Sequence, residues 1–362
     1  QYVPYQGFAN EYMDLLNDKA TFGNLSYVGF IGDYTLDAKA FWKKAHHYMN
    51  KIPSERIGNM PMYTDGTEAG YAIKLDIPLS NEHTLKVGND YHKYTLDDWW
   101  PAVTTTVGGM GPNTFWNIHD GKREVFGTFA EINSEWSAKL KSHFGIRLDV
   151  VSMNTGNVQG YNNNTGAAST YNDKIDADAF NALDHAQKDY NLDISTSIAY
   201  QNSSTHDVEF GASRKTRSPN IHERYTWAGG YGSTINGPIA MDMAMVNWFG
   251  DGNGYVGNIN LKPETAYSVS ATSSWHDEKN QIWGIKVTPY YTYVNDYIDV
   301  DWIQKANAGG YTNINLYRFA NHDAILFGSD LSAFARVWNN ESFGKGTIKT
   351  VVNYTRGYRT DG

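Results

Sequence analysis

The sequence predicts an all-β protein, a transmembrane antiparallel β-barrel, on three observations. Segments of roughly 10 residues alternate apolar and polar side chains with period two, the length and pattern of a membrane strand. Short turns and long loops alternate strictly along the chain. Charges within strands fall on the face opposite the apolar set. An apolar face toward lipid, a polar face toward a lumen, and long loops confined to one end are what such a barrel requires. A soluble sandwich alternates equally well, but nothing in it keeps every long loop on one side.

The elements follow in order. Strands are expected at Phe22–Ile31 and Thr35–Ala45, joined at Gly32-Asp33. In the second, Leu36, Ala38, Ala40 and Trp42 oppose Asp37, Lys39 and Lys43. After a long segment from His46 to Glu68, strands Ala69–Leu79 and His83–Tyr94 join at Ser80-Asn81-Glu82. A second long segment, Thr95 to Lys122, leads to strands Arg123–Ile132 and Ala138–Val150. A third, Val151 to Tyr190, carries one short helix near Ala177–His185, then strands Asn191–Gln201 and Asp207–Lys215 follow.

The longest loop opens with Ala212–Tyr225 and closes with Gly257–Thr265, too long for an ordinary connection. In the hairpin after it, Tyr267, Val269, Ala271 and Trp275 share one face, and Trp283, Ile285, Val287, Tyr291 and Tyr293 share one on the return. A fifth long segment is expected from Asn295 to Ala320, then strands His322–Trp338 and Thr347–Tyr358. The total is about twelve strands in six hairpins.

Composition narrows the function. The net charge of -9 argues against nucleic acid as a partner. Cysteine is absent, so neither a disulfide framework nor a thiolate metal site forms within this chain. No apolar run reaches the length of a membrane helix. No Gly-x-Ser-x-Gly elbow, P-loop or His-Glu-x-x-His motif occurs, so the chain is not expected to be an enzyme. The sequence starts at Gln1 and ends at Gly362 just after a strand pattern, so it reads as part of a longer protein.

Two features carry metal chemistry. In His47-Tyr48-Met49, residues two apart on a strand project to one face, so His47 and Met49 could point together into the lumen. Thioether sulfur suits Cu(I), and imidazole suits copper in either oxidation state. The alternative is a lumenal polar histidine beside a loop-packing methionine. Of nine methionines, Met60, Met62, Met110, Met241, Met243 and Met245 fall in expected external loops. Met241, Met243, Met245, Met60 and Met62 are candidate metal-capture residues, against a simpler role filling irregular gaps. Histidines 46, 119, 222 and 322 are isolated and read as solvated or hydrogen-bonded.

The stretch Arg214–Tyr225, then Asn258-Ile259-Asn260-Leu261-Lys262-Pro263-Glu264 and its hairpin, resembles the C-terminal half of a TonB-dependent outer-membrane receptor barrel. Within that family the chain is most similar to the copper receptors. The residues that carry this are Met60-Pro61-Met62, Leu96–Pro101, Thr114–Asn117, Gln159–Asn163 and Met245–Gly257. The resemblance implies a barrel of about 22 strands filled by an N-terminal plug. Residues 1–362 would supply about 12 of those strands, with plug and terminal strands missing. It also implies TonB-coupled active uptake of copper as cargo by a monomer in the outer membrane of a Gram-negative bacterium, in contact with lipid and the TonB complex. Copper would be held by the His-x-Met pair His47 and Met49 and by a Cys-x-x-x-Met pair of the plug. The alternatives are a receptor for a ferric siderophore or zinc, with Trp99-Trp100 and Tyr225-Thr226-Trp227 touching an organic chelate, or a passive porin.

Overall fold

Long runs of β-branched and aromatic residues at alternate positions pair into one continuous sheet. A computed structural model describes residues 13–361, apart from 53, 56–57, 107–109, 163–172, 229–238, 242–244, 247–248, 250 and 309–310. Strands β1 (Asp14–Ile31) to β8 (His206–Arg217) are β2 (Tyr34–Asn50), β3 (Met62–Pro78), β4 (His83–Trp100), β5 (Phe115–Glu135), β6 (Leu140–Asn154) and β7 (Gln187–Ser203) between them. Helix α1 (Asp173–Asn181) precedes β7, and α2 (Ile221–Tyr225) follows β8. The long loop holds three short strands, β9 (Ile239–Met241), β10 (Met245–Val246) and β11 (Gly254–Val256). β12 (Glu264–His276), β13 (Trp283–Ala308), β14 (Tyr311–Asn340) and β15 (Gly344–Arg359) complete the wall.

The wall strands run antiparallel to their sequence neighbours, β8 joins β12 across the long loop, and β1 and β15 are the two edges. The six expected hairpins are therefore present, all long connections at one end. Among the described residues no helix is long and apolar enough to cross a membrane.

The two faces differ in kind. Phe144, Ile146 and Leu148 on β6 stand outward and exposed, as do Tyr267 and Val269 on β12. On the opposite face Arg147 holds Asp90 (2.6 Å) and Asp149 (2.7 Å), and Lys215 holds Asp193 (3.3 Å). Exposed tryptophans 136, 275, 283 and 338 ring the short-turn end, and Tyr190, Tyr267 and Tyr291 ring the other. Such aromatic girdles mark the two levels of a bilayer.

Most wall strands run further than their alternation predicts, because above the apolar band both faces are wet or loop-covered and periodicity fades. The expected loop Asn295–Ala320 is instead largely strand, with β13 and β14 paired from Trp283↔Ala335 to Ala308↔Tyr311. A bulge on β13 between Val294 and Tyr297, with Asp296 at φ 52°, sets Asn295 and Asp296 against the single residue Asp323 and shifts the phase of β13. The short helix lies at Asp173–Asn181, earlier than the expected Ala177–His185.

The buried core sits at the long-loop end. One cluster joins Leu96, Ile118, Val151 and Met153 of the wall to Ile221 and Tyr225 of α2. A second stacks Trp227 on Phe115 (4.8 Å between ring centres) beside Trp100 and Tyr161.

Candidate functional site

Register fixes which face each residue takes. β2 and β3 pair without a shift from Thr35↔Asp76 to Met49↔Met62, so parity holds along both. Phe41 lies against His92 (5.7 Å), which bonds Glu68 on the interior face (3.0 Å). His47 and Met49 share parity with Phe41 and therefore project inward at the upper end of β2. His47 stands opposite Thr64, which stands opposite Asp98, making one interior row across β2, β3 and β4.

His47 Nδ1 meets Asp18 Oδ1 of β1 at 3.2 Å. Among the described residues none hydrogen-bonds Nε2. A ligating imidazole commonly gives its other ring nitrogen to a carboxylate, which fixes the ring. Met49 stands opposite Met62, bringing a second thioether beside the pair. Among the described residues no three His, Asp or Glu side chains come together as a metal site.

The loop methionines divide. Met60, Met62 and Met110 pack against the Trp100–Phe115 cluster. Met245 packs beside Tyr255, and its Sδ accepts from Asn117 Nδ2 at 3.3 Å. Met241 pairs through its backbone with Ala308. Its side chain, and all of Met243, lie outside the described residues. Trp100, Tyr225 and Trp227 are buried in the loop core rather than offered to a ligand.

Sequence reasoning missed a polar chain beneath the loops. Asp98 Oδ1 accepts from Thr64 Oγ1 (2.9 Å) and Oδ2 from Asn117 Nδ2 (2.7 Å). Asp98 and Asn117 are 1% and 0% exposed. The outward face of β4 runs Leu85, Val87, Asn89, Tyr91, then Lys93 and Asp97, so the apolar band ends near Tyr91 and Asp98 lies above it. Burial pushes the Asp98 carboxyl up to about 6, against hydrogen bonds from Asn117 and Thr64 that pull it down.

The motifs flanking the long loop meet in space. Arg217 Nε bonds Glu264 (2.7 Å), and its guanidinium bonds Glu223 (3.0 Å). Asn220 and Glu223 form a capping box that starts α2. Arg224, buried, bonds Asp189 (2.9 Å), the Leu261 carbonyl (2.9 Å) and Met153 Sδ (3.3 Å). The two motifs are thus halves of one clasp.

The profile of the TonB dependent receptor-like β-barrel family matches residues 2–362. The chain belongs to that family. TonB-dependent receptor barrels are outer-membrane receptors and transporters, and this barrel portion is similar in fold to several of known structure. With the copper transporter OprC it shares 14% identity at a TM-score of 0.70, over 96% of this chain and 49% of that one. With the FrpB iron transporter from Neisseria meningitidis the values are 14% and 0.58, over 96% and 45%. With the siderophore receptor PirA from Pseudomonas aeruginosa they are 15% and 0.55, over 96% and 57%. The chain thus spans about half the length of these structures. No curated protein sequence matches it.

Proposed function

We propose that this TonB-dependent receptor barrel takes up copper, with His47 and Met49 as the wall's contribution to the cargo site. The observation that carries the reading is the inward-facing pair, with His47 oriented through Nδ1 by Asp18 and Met62 opposite Met49. An imidazole beside thioethers selects a soft or borderline metal over hard cations. The likeness to the copper transporter OprC supports the reading. The remaining ligands would come from the plug of a longer receptor, of which residues 1–362 form the partial barrel. TonB energises transport through that plug, and the receptor works as a monomer in the outer membrane of a Gram-negative cell.

A ferric chelate is the second reading, favoured by the likeness to FrpB and PirA. The burial of Trp100 and Trp227 removes two aromatic contacts such a cargo would use. Elemental analysis and copper titration of the full-length receptor in detergent test the first reading. About one copper per receptor, lost when His47 and Met49 are both changed to alanine, is expected. Copper retained by the double variant sinks the site, and protection by a ferric chelate alone moves the function to the second reading.

A further inference from the structure

Asp98 is a buried carboxylate that no cation meets among the described residues. It binds Thr64 on β3 and Asn117 on β5, and Asn117 in turn reaches Met245 on β10 at 3.3 Å. One chain of polar contacts therefore ties β10 of the long loop to the wall, beside the His47 row. Asn117 Oδ1 is buried and accepts no hydrogen bond among the described residues.

An amide has a donor end and an acceptor end. Against an ionised carboxylate only the NH2 end bonds, so Nδ2 faces Asp98 and also reaches the Met245 sulfur. Against a protonated carboxyl, the matching partner for the acid O–H is Oδ1. Turning the amide then satisfies the oxygen left unpartnered and withdraws Nδ2 from the thioether.

We propose that Asp98 is a positioning residue whose charge state orients the Asn117 amide, and that the amide holds or releases Met245 and with it the paired strands β10 and β11. Burial that raises the Asp98 carboxyl to about 6 brings the change within reach of mild acid. Charged neighbours come from every packed element. Tyr94 lies on β4 within electrostatic reach, Glu68 on β3 pairs with His92, and His47 on β2 pairs with Asp18. On β5 His119 bonds the Asn157 carbonyl, and on β11 Tyr255 bonds Asp251. None of them hydrogen-bonds Asp98, and replacing Asp98 separates its titration from theirs.

The latch does not depend on copper, so its test uses metal-free, full-length receptor in detergent. Amide hydrogen exchange at Met245, Val246 and Gly254–Val256 is followed from about pH 8 to about pH 5, corrected for intrinsic rates. Exchange about 5-fold faster in acid is expected, the scale of losing one neutral hydrogen bond. Asp98→Asn abolishes the pH step. Met245→Leu, which leaves the carboxylate untouched, gives fast exchange at both ends of the range and decides the matter if Asp98→Asn does not fold. No step in the parent, a step that survives Asp98→Asn, or slow parent-like exchange in Met245→Leu overturns the latch.

Discussion

Two buried charges at the long-loop end are held in opposite ways. Arg224 has a carboxylate, a carbonyl and a thioether around it, whereas Asp98 has only neutral donors. Arg224→Ala takes from buried Asp189 its hydrogen-bonded cation, leaving only Arg123 within electrostatic reach, and a loss of up to about 3–5 kcal/mol is expected from the unfolding midpoint in detergent. For Asp98 the sign runs the other way. Its folded pKa, about 6, lies above the ordinary 3.8, so the folded state binds the proton more tightly. The ionised form is penalised above about pH 6, and the penalty is relieved as pH falls toward the ordinary carboxylate value. The unfolding midpoint should therefore rise between about pH 7 and pH 5, and Asp98→Asn should flatten that rise. His222 on α2, pushed down to about 4 by burial, stays neutral across that window. The His47-x-Met49 pair was legible because strand periodicity alone puts both on one face. The Asp98–Asn117–Met245 chain was not, since its members lie 19 and 128 residues apart and meet only through register and loop return.

At the level of elements, the return of the long loop is zipped to its start. Gly257 N donates to the Thr226 carbonyl (2.7 Å) and Asn258 N to the Glu223 carbonyl (2.8 Å). A Cβ on Gly257 would stand 2.8 Å from both the nitrogen and the oxygen of Thr226, backbone atoms that cannot swing away. Gly257→Ala should open this seam, raising proteolytic nicking within the loop while the wall keeps its fold. Asn220→Ala, which removes the α2 capping box, should cost about 1 kcal/mol by the same unfolding assay. The strands were legible where one face meets lipid, as in Phe144, Ile146 and Leu148 against His143, Arg147 and Asp149. Legibility failed where that constraint lapses. Opposite Asp323 the bulge at Asn295 and Asp296 reverses the phase of β13, so no single alternation spans that strand. The packing of Met60, Met62 and Met110 was hidden for a related reason, because a loop core has no period to read.

Across the whole molecule, the curved sheet sorts charge by face. Arg147, Asp90, Asp149, Lys215 and Asp193 pair inside, while the outer surface between the aromatic girdles is mostly apolar, with Asn89 and Thr128 among the exceptions. Leu148→Arg on the outer face should cost roughly 2–4 kcal/mol in a bilayer refolding titration, whereas Ser195→Lys on the inner face should cost far less. Equal costs would mean the faces are misassigned. The clasp between β8 and β12 has a consequence for how such barrels diversify. Arg217 and Glu264 are direct cross-strand partners, so the chain leaves the wall and rejoins it at the same rung. The insert between them is not free of the wall, since β9 pairs with β13, β11 pairs with β14, and α2 packs on Leu96, Ile118 and Val151. A new insert grafted at Arg217 and Glu264 should therefore keep the β8–β12 pairing but has to carry its own partners for the upper ends of β13 and β14.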